Sequence, residues 1–174
     1  TTYYYFNIDG QVFYILDDVP RAASYNICNF TIPGERPLSL AMPAPPLFAQ
    51  NPAAPAVRNF DGVVSTTVRV NRNLMDFYTN YPPCHWSVYA ATALTAPVCG
   101  QLYPPLRAAV AGKGEREAAE LLLHYLHRAF PYKTDEAQFG IERTLFAEEM
   151  YYYPYSDCED RSILFARLVK DLLG

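Results

Sequence analysis

One stretch of the chain holds residues whose types and order could do covalent chemistry: Tyr151-Tyr152-Tyr153-Pro154-Tyr155-Ser156-Asp157-Cys158-Glu159-Asp160-Arg161-Ser162. Pro154 keeps Tyr153 extended. Ser156, followed three residues later by Glu159, is a capping-box pattern that predicts a helix start, with Cys158 as the second helical residue. First-turn amides and the positive end of the helix dipole would then lie near its sulfur and favour thiolate over thiol. Asp157, Glu159 and Asp160 oppose this, because like charges resist a second negative charge. Arg161 either offsets them or pairs with Asp157 at i, i+4. Two roles follow for Cys158: a nucleophile, or a buried cysteine in the first turn of an amphipathic helix.

The other candidate groups are scattered. Cys28, Cys84 and Cys99 form no CxxC pair, have no zinc-like histidine spacing and read as buried thiols. His124 and His127 share a charged helix face with Glu117, Glu120 and Arg128, which reads as solvated; their i, i+3 spacing lacks a third metal ligand. His85 follows Pro82-Pro83-Cys84 in a loop. The Cys158 amide is the natural oxyanion donor, and the Gln138 side chain is a second candidate unless it lies on the surface of a short helix from Asp135. Tyr151 to Tyr155 could line a groove or pack against a β module. Trp86 reads as a partly buried packing residue.

Several elements must position these groups. Thr1 to Ile8 and Gln11 to Leu16 are strand-like around an Asp9-Gly10 turn signal, and Tyr25 to Ile32 is a third run. Seven prolines between Pro33 and Pro55 predict a long extended loop. Val63 to Val70 alternates as a strand. Asn71 or Asn73 can cap a short helix with Leu74, Phe77 and Tyr78 on its apolar face. Leu102 to Ala111 reads as a helix with Pro104-Pro105 in its first turn, ended by Gly112. Glu115 to Phe130 carries a helical stripe of Ala118, Leu121, Leu122, Tyr125, Leu126 and Ala129. The last helix runs from about Asp157 to Leu173.

Composition sets the frame. The 174 residues are 51% hydrophobic and 18% charged, with a net charge of −4, which fits a folded domain and excludes a general nucleic-acid binder. No apolar run of about 18 residues would span a membrane. Thirteen of fifteen prolines precede Gly114, and nineteen of the 32 charged side chains follow Lys113. The expected class is α+β: a β-rich module over residues 1–70 with a Pro-rich loop at 33–58, then a helical part over 71–174.

The run Asp157-Cys158-Glu159-Asp160-Arg161-Ser162-Ile163-Leu164-Phe165, with Leu168-Val169 and Leu172-Leu173-Gly174, resembles the nucleophile helix of the transglutaminase-like superfamily. Its pattern there is Asp-Cys-x-Asp, often with Arg next, then aliphatic residues and a closing Leu-Gly. Leu121 to Phe130 with Tyr132-Lys133-Thr134-Asp135 and Gln138-Phe139-Gly140 resembles the segment leading into that helix. The similarity covers roughly residues 60 to 174 and is most specific from Lys133 to Gly174. It implies a papain-like arrangement in which a Cys158 thiolate attacks an amide of a peptide or protein substrate, with no cofactor. In that family the histidine and aspartate follow on later strands; this chain ends at Gly174, so only Cys158 maps onto the triad. Two expectations follow: the helical half of a transglutaminase-like core, inactive as it stands, or a non-catalytic binding or structural module that retains part of the fold. The last helix's face of Ile163, Leu164, Val169, Leu172 and Leu173 must pack on upstream helices, on a second copy or companion C-terminal chain, or stay exposed. No metal or calcium-loop motif is present. The Thr1 start, proline-rich loop and tyrosine-rich strands point to an exported bacterial protein whose signal peptide has been removed.

Overall fold

The protein is described by a computed structural model covering residues 3–8, 11–16, 25–26 and 39–174. The fold is α+β and falls into two compact units, 1–41 and 42–174. The strands after residue 55 pack with the helices and fall in the second unit.

In the first unit, β1 (Tyr3–Ile8), β2 (Gln11–Leu16) and β3 (Tyr25–Asn26) form an antiparallel sheet in the order β1-β2-β3, with register from Tyr3↔Leu16 to Ile8↔Gln11. The Asp9-Gly10 turn, Cys28 and the run from Ile27 to Ile32 lie outside the described residues.

The second unit opens with an irregular stretch and then a hairpin of β4 (Ala56–Phe60) and β5 (Val64–Val68). The sequence signals only the second of these strands. Asp61 and Gly62 turn the chain at φ 43° and 76°, a left-handed conformation in which Gly62 avoids a Cβ clash. Val64, Thr66 and Val68 alternate inward and pack β5 on α3 (Ala96–Val110), while β4 packs on α4 (Glu115–Ala129).

The helices are α1 (Arg72–Thr79), α2 (Trp86–Ala91), α3, α4, α5 (Asp135–Phe139) and α6 (Cys158–Leu172). Asn71 caps α1 by accepting the Asn73 amide. α3 starts at Ala96, well before the expected Leu102, and contains Pro104 and Pro105 in its interior. Two missing N–H donors should weaken it. The buried face of Val98, Leu102, Tyr103 and Leu106 runs across the prolines, and its burial against β5 outweighs the lost bonds. Gly112, at φ 74°, follows its end. α2 carries no strong sequence signal and is fixed by packing on α6.

Leu145 to Tyr151, including a single 3-10 turn at Glu149–Tyr151, is buried along its whole length although it is not regular helix or strand. Such a segment is stable only if its polar groups find partners. The Glu148 carboxylate accepts from the Thr95 amide and hydroxyl at 2.9 Å, and so caps α3. Arg143 donates to Glu149, which also accepts from the Phe146 amide. Arg58 of β4 donates to the carbonyls of Met150 and Tyr153. Phe146 stacks on Tyr78 with ring centroids 4.2 Å apart. Tyr125, Tyr151 and Thr66 join their hydroxyls at the centre of the unit.

The apolar face of α6 packs on α4 and α2, with Ile163, Leu164 and Leu168 buried and Val169, Leu172 and Leu173 half-buried. Upstream helices of the same chain thus supply the cover. Among the described residues no helix is long and apolar enough to cross a membrane.

The face assigned to α4 is checked by two truncations. Leu126→Ala, at a fully buried position, should cost about 2–5 kcal/mol in urea unfolding. Leu123→Ala, at a position 39% exposed, should cost under about 1 kcal/mol. Similar losses at both sites would show that the helix presents another face to the core.

Candidate functional site

The site is built where the segment after α4 meets the start of α6. Ser156 is extended rather than capping: its amide donates to the Pro131 carbonyl and its own carbonyl accepts from Lys133, both at 3.2 Å. Asp157 is the N-cap instead. Its Oδ1 accepts the amides of Glu159 at 2.9 Å and Asp160 at 3.1 Å, and Asp160 Oδ2 accepts the Asp157 amide at 3.3 Å. The reciprocal pair is therefore Asp157 with Asp160, not Ser156 with Glu159, because bridging to Pro131 and Lys133 already commits the Ser156 backbone. Cys158 becomes the first helical residue rather than the second, and it is exposed. Its amide has no acceptor among the described residues, as befits the first N–H of a helix.

Arg161 does not pair with Asp157. It turns back to donate to the Phe130 carbonyl at 2.7 Å and the Ser156 hydroxyl at 3.3 Å, with its guanidinium 5.2 Å from the Tyr132 ring centroid. The Tyr132 hydroxyl lies 4.0 Å from Cys158 Sγ. The hydrogen bond to Cys158, then the sulfur's charge, pushes the Tyr132 phenol above its ordinary range. Sequence reasoning did not single out Tyr132; the partnership arises from the Tyr132–Ser156 bridge, which no local pattern encodes.

The other predicted groups lie apart from Sγ. His85 caps α2, with Nδ1 2.8 Å from the Ser87 hydroxyl. His124 stacks on Phe60, and His127 is an exposed residue in the last turn of α4. Gln138 lies on α5 and donates to the Tyr155 carbonyl at 3.4 Å. Cys84 and Cys99 are half-buried free thiols; burial pushes Cys84 up to about 11 and raises Cys99 as well. The tyrosine run divides: Tyr151 is buried against Phe130, Tyr153 packs edge-on to Phe139, and Tyr152 and Tyr155 are exposed. Trp86 is exposed.

Asp160 anchors the start of α6. It is fully buried, and its Oδ1 accepts the Leu145 amide at 2.8 Å. Burial pushes its carboxyl up to about 7, and Asp157 and Asp135 push the same way against the amide bonds. Asp135, first residue of α5, is also buried; its Oδ2 accepts the Arg143 amide at 2.9 Å, and burial raises it to about 6.

A cavity of about 390 Å³ lies elsewhere, between the proline-rich segment and the start of α3, lined by Phe48, Pro52, Leu74 and Leu94 among others. It shares no residue with the Cys158 site. Comparison with family models, with curated proteins and with solved structures gives no match.

Raised carboxyls make folding bind protons. Asp160 and Asp135, with Glu149 pushed by burial to about 7, hold protons in the folded chain at pH values where unfolded carboxyls near 4 have released them. Their contribution is fully present below about pH 4 and is lost as pH rises through about 7. In metal-free buffer the melting temperature should therefore fall between pH 5 and about 8, and Asp160→Asn should flatten part of that fall. A melting temperature that rises over this range would contradict the assignment.

Proposed function

We propose that this chain carries the nucleophile-bearing part of a transglutaminase-like thiol enzyme that acts on amide bonds of a peptide or protein. The observation that carries the reading is the placement of Cys158: an exposed thiol on the first residue of a 15-residue helix, with its own amide unbonded and a rigid carboxylate cap behind it. The resemblance of Asp157 to Gly174 to the family's nucleophile helix supports the same role.

In this reading the Cys158 sulfur attacks the substrate carbonyl, forming an S–C bond as the carbonyl oxygen takes the negative charge. The Cys158 amide is aimed by the helix start and can donate to that oxygen. Collapse breaks the C–N bond, the amine leaves with a proton, and water or a second amine then resolves the acyl-enzyme. The proton needs a base. No histidine among the described residues bonds to Sγ, so the base must come from outside them. The same fact favours the second reading, a binding or structural module that retains part of the fold.

The two are separated by thiol kinetics. Iodoacetamide at pH 7, followed by mass spectrometry of each cysteine, should modify Cys158 at least about tenfold faster than Cys84 or Cys99, and faster than glutathione under the same conditions. A Cys158 rate no higher than that of glutathione would sink the nucleophile. Residues 1–174 alone should not turn over amide substrates; turnover that vanishes in Cys158→Ala would overturn the external base.

A further inference from the structure

Three carboxylates converge at the starts of α5 and α6. Asp135, Asp157 and Asp160 each place an oxygen within 4.8 Å of the others. Asp135 is 2% exposed and Asp160 0%, while Asp157 is half-buried, so the cluster meets solvent at Asp157. Amide donors occupy Asp160 Oδ1 and Oδ2, Asp157 Oδ1 and Asp135 Oδ2. Asp135 Oδ1 is buried and receives no hydrogen bond. Among the described residues no lysine, arginine or histidine forms an ion pair with any of the three. The further charges that face Asp135 are Glu142 and Glu159, both acidic. Buried carboxylates are ordinarily paired with a cation or bound to a metal, and here no side chain supplies that charge.

We infer that Asp135, Asp157 and Asp160 form a binding site for a hard divalent cation, with calcium as the probe. All-oxygen ligands select a hard ion. Oxygens that lie within 4.8 Å of one another can share one ion at the roughly 2.0–2.6 Å distances that such ions take. Asp135 Oδ1 gains the partner it lacks, and water completes the shell from the Asp157 side. The ligands come from two helix starts rather than one loop, so the site differs from a calcium-loop motif.

The test uses the whole chain, stripped with EDTA and titrated with CaCl₂ at pH 8 by calorimetry and thermal melting. One saturable site is expected, with the melting temperature raised by roughly 3 °C at tenfold excess over Kd. Asp135→Asn and Asp157→Asn should each remove both signals. Asn caps a helix as well as Asp does, so Asp157→Asn should keep the wild-type circular dichroism, which separates a lost site from a lost fold. Absence of heat and shift, a shift matched by NaCl at equal ionic strength, or a shift retained in both variants would overturn the site. Cys158→Ala should bind calcium normally, so this result stands or falls separately from the thiol reading.

Discussion

A single buried carboxylate ties the second unit's working surface together. Asp160 accepts the Leu145 amide with one oxygen and the Asp157 amide with the other. The first bond holds the buried segment that runs on to Tyr151, and the second closes the cap of α6. Without it, the buried Leu145 amide would lose its acceptor at a cost of about 1–3 kcal/mol, and the half-buried Asp157 amide would lose its acceptor as well. The position of Cys158 depends on this bond, because the residue lies between the cap and the carboxylate that completes it.

The same constraint explains the crowding of acidic groups near the start of α6. A helix start offers unpaired amides and a positive dipole end, so carboxylates gather there readily. Asp157, Glu159 and Asp160 come from α6 itself and Asp135 arrives from α5. Amides satisfy most of their oxygens without neutralising their charge. Burial then drives the carboxyls of Asp160 and Asp135 upward, so the folded cluster favours a bound proton. Arg161, the nearest candidate in sequence, is spent on the Phe130 carbonyl and the Tyr132 ring.

The thiol and the carboxylates form one region with two chemistries. Sγ faces outward to the Tyr132 hydroxyl, while the carboxylates lie mostly buried. An exposed thiol on a rigidly capped helix suits attack on a substrate held from the solvent side. A cysteine that served packing alone would be expected inside, whereas Cys158 is exposed.

Local signals fixed a good part of this protein. Helical spacing of Ala118, Leu122, Tyr125 and Leu126 placed α4 and its buried face, alternation placed β5, and Asn71 marked the start of α1. Each of these is a pattern repeating within one or two turns, which is the range over which propensity and periodicity act. Other outcomes required contacts between distant segments. The prolines inside α3 are tolerated only because its face is buried on β5, and β4 exists because β5 offers it an edge. Ser156 with Glu159 matched the capping-box pattern, yet the Ser156 backbone was taken by Pro131 and Lys133 from before α5, and the cap is Asp157. The meeting of Tyr132 with Cys158, and of Asp135 with Asp160, joins residues more than twenty positions apart. Tertiary packing alone brings such pairs together, because no helical or strand period links them.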